Sequence, residues 1–326
     1  MIVDVHTHYI PDSLADDLRK RKSIPYIESQ AEGKERFHMP ANSILLNDDY
    51  FNMEERRTFM ERNGVGHQIL SFPGLFGVES LPVEDALPLV RKFNDDVSLI
   101  SNKFPAFFSG LASLPLADMK SAIEEYRRAR IELKLIGAIL PVNAFLTVRH
   151  AERMTPLFDL AEKIGGHFFI HPGQRPDEFP RTPFRSSPQL FDDNIPARLA
   201  LAVQHNCAAC MITLLFSNFL DPFENVTLHV ANLGGTLPMV IERMDQVNLT
   251  RTPDKILPSS LLNKIYVDCS SLGPKSIEIA ASFYGTDKIL FGTDCPIFST
   301  EWSKNAVVNS NLSKENQNKI FQGNAR

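Results

Sequence analysis

Apolar, β-branched runs alternate with amphipathic stretches along the whole chain. The runs fall at residues 2–8, 66–71, 107–114, 135–140, 166–171, 225–231, 264–269 and 288–292. Short apolar runs of this kind read as strands covered on both faces, and the stretches between them as the covering helices. Eight such units are the number that closes a parallel sheet on itself. The expected fold class is therefore α/β, a (β/α)8 TIM-like barrel. Helix punctuation agrees. Asn52-Met53-Glu54-Glu55 resembles a capping box ahead of a helix that Gly64 ends, and a short helix over residues 156–163 stops at Gly165-Gly166. Two connections are longer than plain loops. Residues 9–51, with a small hairpin around Gly33, form an insertion after strand 1. Residues 172–224 form a loop-plus-helix connection after strand 5, with a proline- and arginine-rich loop over 174–188. Both leave strand C-terminal ends, where barrels build their sites. With no repeat, low-complexity segment or linker, residues 1–326 are expected to be one domain.

The strand ends carry the candidate chemistry. His6 and His8 stand two residues apart at the end of the first run, so their side chains share a face of the strand. On that segment alone they could be two ordinary surface histidines. The fifth run ends in His171-Pro172-Gly173 and the eighth leads into Gly292-Thr293-Asp294-Cys295-Pro296. In a closed barrel these ends become neighbours around the mouth. Three imidazoles and one carboxylate can hold a divalent ion and leave room for water or substrate. Zinc, manganese and ferrous iron all suit such ligands.

Composition narrows the partners. A hydrophobic fraction of 43% suffices for a large core, and a net charge of -5 gives no basic face for nucleic acid. No run approaches the roughly 18 apolar residues of a membrane span, and the first residues lack the features of a secretory signal. Four scattered cysteines do not form a disulfide framework, which points to a reducing, cytoplasmic setting. Cys207-Ala-Ala-Cys210 has redox-motif spacing, but in an apolar stretch it reads better as two small core residues one helical turn apart.

The chain resembles the amidohydrolase superfamily, specifically the amidohydrolase-2 group that includes aminocarboxymuconate-semialdehyde decarboxylase and the resorcylate-type decarboxylases. The resemblance covers nearly the whole length. It rests on Asp4-x-His6-x-His8, residues 110–116 (Gly-Leu-Ala-Ser-Leu-Pro-Leu), His171-Pro172-Gly173, Gly234-Gly235-Thr236-Leu237-Pro238 with Arg243 beyond, Phe291-Gly292-Thr293-Asp294-Cys295-Pro296 and Gly323-Asn324-Ala325. It implies a distorted barrel, one zinc or manganese ion held by His6, His8, His171 and Asp294, and a homodimer or higher homo-oligomer. Binuclear relatives carry a lysine at the end of strand four; residues 135–140 have none, so one metal is expected.

One position departs from the group. Its catalytic histidine before x-Gly-Gly is here Asn232, and the nearest histidine, His229, lies three residues earlier. Strand alternation puts Asn232 in the site and His229 on the opposite face, against a helix. An amide can orient an oxygen but cannot exchange a proton near neutral pH, so Asp294 becomes the expected proton-transfer residue. Arg243 sits where related decarboxylases hold the substrate carboxylate, commonly across a dimer interface. The alternative is a surface pairing with Glu242 or Asp245. Arg175, just past His171, is a second candidate anchor.

The leading functional expectation is a metal-dependent, non-oxidative decarboxylase of a small aromatic or unsaturated carboxylic acid. Hydrolysis of a lactone or amide by the same ligands is the alternative, with a hydratase or a non-catalytic barrel behind it. Phe72, Phe76 and Phe145 could stack on a flat substrate, although core packing explains each as well. The remaining histidines carry no motif and read as structural or surface residues.

Overall fold

The computed structural model describes residues 1–40, 42–47, 50–179 and 195–325. The opening run forms strand β1 (Ile2–His8), buried from Asp4 onward. Helix α1 (Asp12–Lys20) follows, then a small antiparallel sheet of β2 (Tyr26–Ser29), β3 (Glu35–His38) and β4 (Ser43–Leu46). The hairpin expected around Gly33 is β2 and β3; β4 extends it by one strand. Arg19 on α1 grips the Glu35 carboxylate with two hydrogen bonds of 2.6 and 2.8 Å, which holds α1 to the small sheet within this insertion.

The repeating units come next. They are α2 (Met53–Asn63), β5 (Val65–Ser71), α3 (Val83–Lys103), β6 (Phe108–Ala112), α4 (Met119–Ile131), β7 (Gly137–Pro141), α5 (Val148–Glu152), α6 (Thr155–Ile164) and β8 (Gly166–His171). Then follow α7 (Ile195–Phe216), β9 (Val226–Val230), α8 (Leu237–Arg251), β10 (Tyr266–Asp268), α9 (Pro274–Tyr284), β11 (Ile289–Leu290), α10 (Thr300–Val308) and α11 (Lys314–Asn318). Local signals explain several boundaries. Asn52 caps α2 by accepting from the Glu54 and Glu55 amides at 3.1 and 3.2 Å, and Gly64 ends it at φ +70°, a conformation costly for any side chain.

Eight parallel strands run in the order β1-β5-β6-β7-β8-β9-β10-β11. The first and last edges meet through hydrogen bonds from Val5 N to Phe291 O at 3.0 Å, Asp294 N to His6 O at 2.8 Å and His8 N to Cys295 O at 2.7 Å. The expected (β/α)8 barrel is thus the observed fold. Its main core lies between strands and helices, where Phe168 packs on Phe158 and Tyr126 with ring centroids 4.7 and 5.4 Å away. A smaller cluster of Leu111, Ile139, Phe169 and Ala231 fills the barrel itself. Burying one such ring contributes about 2–3 kcal/mol, so Phe169 makes a firm floor under the strand ends.

Helix α7 corrects one expectation: by length and composition it is apolar enough to cross a membrane. Counting unbroken apolar residues misses this, because Arg198, Gln204, His205 and Asn206 interrupt the run. In the fold Cys207, Cys210, Met211 and Leu214 on this helix are buried in the core, and the two cysteines are unpaired. The loop expected over 174–188 is described as far as Phe179; its remainder lies outside the described residues.

Candidate metal centre

His6, His8, His171 and Asp294 converge at the C-terminal mouth of the barrel, with one ligand atom from each lying within 4.8 Å of all the others. All four residues are buried. The hydrogen bonds of the three imidazoles decide which nitrogen faces inward. His6 Nδ1 donates to Asp268 Oδ2 at 3.0 Å, and His171 Nδ1 donates to the Pro172 carbonyl at 2.8 Å. A carbonyl or carboxylate oxygen only accepts, so Nδ1 carries the proton in both rings. His8 Nδ1 meets Ser71 Oγ at 3.1 Å, and because that hydroxyl donates to Thr7 O at 2.9 Å, His8 Nδ1 is again the donor. Each Nε2 is left to offer a lone pair. His6 Nε2, His8 Nε2 and Asp294 Oδ1 are buried with no hydrogen-bond partner, although His8 Nε2 and Asp294 Oδ1 approach to 2.8 Å. Orphaned acceptors crowded around one point fit a divalent cation, and Nδ1 bonds of this kind hold metal-bound imidazoles in orientation.

The electrostatics agree. Burial lowers His8, and it holds His171 well below its ordinary value, so both rings are neutral and ready to ligate. Burial would lower His6 too, but Asp268 and Asp294 outweigh it and raise it to about 10. Burial would raise the two carboxylates, yet the histidines hold both well below the usual carboxylate range. Two buried negative charges among neutral imidazoles call for a positive charge, which a metal ion provides in place of the proton on His6.

Local structure explains why the ligands sit there. Asp294 adopts φ +62°, an unusual conformation for a residue with a side chain, and the strand's alternation breaks at this ligand. Asp4, the first residue of the Asp-x-His-x-His motif, accepts from Thr293 N at 3.1 Å and Thr293 Oγ1 at 2.7 Å, clamping the residue before that ligand to β1. Burial pushes the Asp4 carboxyl up to about 7. Arg56 on α2 donates to the His8 carbonyl at 2.6 Å and to Gln68 Oε1 at 2.8 Å, holding the exit of β1. Gly292 has a steric role, since a Cβ there would lie 2.8 Å from His6 Cβ and 3.1 Å from Asp268 Cβ.

The other expected residues fall in different places. Asn232 is buried beside the centre: its backbone N–H donates to Asp268 Oδ1 at 3.3 Å and its Oδ1 accepts from Ser270 Oγ at 2.7 Å. His229 is a correction. It points into the barrel, stacked on Phe169 at 4.2 Å, with Nε2 3.5 Å from Asp268 Oδ2. Strand β9 ends at Val230 and Asn232 turns at φ +57°, so strand alternation cannot be carried from one residue to the other. Arg243 is exposed on α8 and makes no ion pair among the described residues, with Glu242 and Asp245 included; the groove it shares with Val240, Met244 and Val247 contains no metal ligand. Arg175 is engaged by its own loop, through Asp177 at 2.8 Å, Glu178 at 3.4 Å and the Asn143 carbonyl at 3.1 Å. Phe72, Phe76 and Phe145 are fully buried packing residues, with Phe76 edge-on to His8 at 5.9 Å. Sequence reasoning missed Asp268 and Arg56, and named Asp4 only as part of the opening motif without a role. The strand run ending in Val267-Asp268 held the one available signal, a lone acid at the end of barrel strand seven.

A closed (β/α)8 barrel with three histidines and an aspartate at its C-terminal mouth defines a metal-dependent barrel enzyme. The chain belongs to the amidohydrolase family, whose profile matches residues 3–326. It is 25% identical over 334 residues to the 2-amino-3-carboxymuconate-6-semialdehyde decarboxylase of Dictyostelium discoideum, spanning 99% of this chain and 90% of that protein. It is 25% identical over 293 residues to the gamma-resorcylate decarboxylase of Rhizobium sp. (strain MTP-10005), spanning 84% of this chain and 85% of the relative. Among solved structures it is similar to a dihydroxybenzoic acid decarboxylase from Polaromonas sp. JS666 with bound manganese and the inhibitor 2-nitroresorcinol, with a TM-score of 0.70, 20% identity, and coverage of 99% and 95% of the two chains.

Proposed function

We propose that this protein is a metal-dependent, non-oxidative decarboxylase of a small aromatic or unsaturated carboxylic acid. The observation that carries the reading is the convergence of His6, His8, His171 and Asp294, with His6 Nε2, His8 Nε2 and Asp294 Oδ1 buried without a hydrogen-bond partner. Curated relatives along most of the chain are named as decarboxylases, which favours this chemistry over hydrolysis. One divalent ion, zinc or manganese, supplies charge neutralisation and Lewis acidity to the substrate's oxygens when bound.

The chain's own groups divide the remaining work. Asp294, the most accessible of the four ligands, takes up a proton from water and passes it to the carbon that bears the carboxylate, the new C–H bond forming with the electron pair of the adjacent π bond. The bond from that carbon to the carboxylate then breaks, its electron pair restores the π bond, and CO2 leaves. The Nδ2 of Asn232 makes no hydrogen bond among the described residues and donates to a substrate oxygen without exchanging a proton. Arg243 is exposed in a groove that contains no metal ligand of its own chain, and we assign it to a neighbouring protomer's substrate carboxylate in a homodimer or higher homo-oligomer. The exposed Met239, Val240, Val247 and Leu249 on the same helix support an interface there. Arg175 is the alternative anchor, at the cost of its pairs with Asp177 and Glu178. The few, scattered and buried cysteines support a cytoplasmic setting.

The test is mass spectrometry of zinc- or manganese-loaded protein incubated with hydroxybenzoates, pyrimidine carboxylates, muconate-type acids and lactones, with Asp294→Asn as control. Loss of one CO2 that the control lacks is the expected result. Addition of water without CO2 loss would move the assignment to a hydrolase or hydratase.

A further inference from the structure

Below the metal centre the barrel holds a column of polar side chains where hydrocarbon would suffice. Strand β8 turns His167, Phe169 and His171 inward, and β9 turns Thr227 and His229 toward them, with His167 opposite Thr227 and Phe169 opposite His229. Thr227 Oγ1 and His167 Nδ1 lie 2.9 Å apart, and His167 Nε2 and His229 Nδ1 lie 2.7 Å apart. His229 Nε2 is buried without a hydrogen-bond partner, and it stands 3.5 Å from Asp268 Oδ2, the oxygen that accepts from the metal-facing His6.

The donors in this column have a single consistent direction. Burial lowers His229 and His167, so each ring is neutral with one N–H. Asp268 only accepts, so the N–H of His229 belongs on Nε2, facing it. His229 Nδ1 must then accept, which puts the proton of His167 on Nε2. His167 Nδ1 accepts in turn from the Thr227 hydroxyl. Every donor points up the barrel toward the carboxylate that orients His6. Thr227 is exposed and His167 half-buried at the lower end of the column, whereas His229 is buried. Phenylalanine or leucine at 229 would fill that volume without a buried polar atom to satisfy, and a buried polar ring without function costs stability.

We propose that His229 and His167 are positioning residues that act through Asp268 and His6 to set the affinity and geometry of the metal centre. The inference rests on the metal centre and not on which acid is decarboxylated. His229 braces the same Asp268 Oδ2 that accepts from His6, and His167 fixes the tautomer of His229. Removing a ligand's own partner commonly costs about 10–100-fold in metal affinity, and a group that braces that partner governs a part of this.

The experiment measures manganese and zinc dissociation constants by chelator competition, and the visible spectrum of the cobalt-substituted protein, for the full chain and its variants. His229→Phe keeps the stack on Phe169 and removes both nitrogens; it is expected to weaken metal binding by about 10-fold, the lower end of the loss on removing a direct partner, and to alter the cobalt bands. His167→Phe leaves the His229 tautomer free and is expected to give a smaller loss in the same direction. Phe158→Leu disturbs the packing between α6 and the outside of the barrel, away from the column and the ligands, and is expected to lower thermal stability while leaving affinity and spectrum at wild-type values. Wild-type affinity and spectrum in His229→Phe would overturn the proposal, as would an equal loss of affinity in Phe158→Leu. If His229→Phe fails to fold, His229→Gln and His167→Phe decide the matter by the same readouts. Failure of the wild type itself to bind metal would refute the centre, whereas normal metal binding with no decarboxylation would leave this inference standing and refute the functional reading.

Discussion

Replacing Glu79 by glutamine should remove a large part of the pH dependence of this protein's stability. Glu79 follows β5, is buried to 1% exposure, and its Oε1 accepts from Ser113 Oγ at 2.9 Å. Its Oε2 has no hydrogen-bond partner, so ionisation would place a charge with no donor facing that oxygen. Burial therefore dominates and raises the group from 4.5 to about 8, against the lowering by Ser113 and the Leu114 amide. The folded protein holds a proton that the unfolded chain releases. This contribution to stability is complete below the unfolded value of 4.5 and is lost as pH rises through about 8. Integrating the two titrations, the loss between about pH 6 and about pH 9 is about 2–3 kcal/mol. Asp4, raised to about 7 by burial, has the same sign, but it is present in both proteins and cancels in their difference. Glutamine has the shape of the protonated acid and no titration. Urea unfolding of both proteins in chelator, at the two pH values, is the assay. The variant should gain about 2–3 kcal/mol on the wild type over that interval, and a difference that stays constant with pH would refute the assignment of a buried neutral acid.

Three further outcomes follow from the site. Asp268→Ala removes the acceptor of His6 Nδ1 and should weaken metal binding about 10–100-fold while His8 and His171 remain in place, measured by chelator competition; unchanged affinity would contradict the orienting role. Gly292→Ala brings a methyl group into collision with His6 and Asp268, and should cost about 1–3 kcal/mol of stability together with metal affinity, whereas a stable, fully metallated variant would show that this approach is relieved elsewhere. Asn232→Ala should lower kcat/KM by about 10–100-fold, corresponding to one lost hydrogen bond to a charged oxygen, with metal content retained; full activity would remove Asn232 from the mechanism.

Strand periodicity made the barrel readable in the sequence, because a strand buried on both faces must be apolar along its whole length. All eight barrel strands lie within two residues of the expected runs, down to the two-residue β11. The four ligands were equally readable, since each ends or follows a strand and the closed topology brings such ends together. Features set by contacts across the barrel were not. Asp268 is an isolated acid until the ring closes and places His6 beside it. The inward turn of His229 depends on where β9 stops, which the left-handed residues at Asn232 and Leu233 decide and hydrophobic alternation does not record. The roles of Asp4 and Arg56 belong to the same class: each ties a neighbouring strand end to β1 through hydrogen bonds between residues far apart in sequence.

The most direct test of the account is CO2 release from a panel of hydroxybenzoates and muconate-type acids, followed in deuterated water with protein that has been stripped by chelator and then reloaded with manganese or zinc. The account predicts no release from the stripped protein, release on reloading that Asp294→Asn abolishes, and one deuterium at the carbon that lost its carboxylate. Equal release with and without metal, or turnover that adds water and retains the carboxylate, would contradict it.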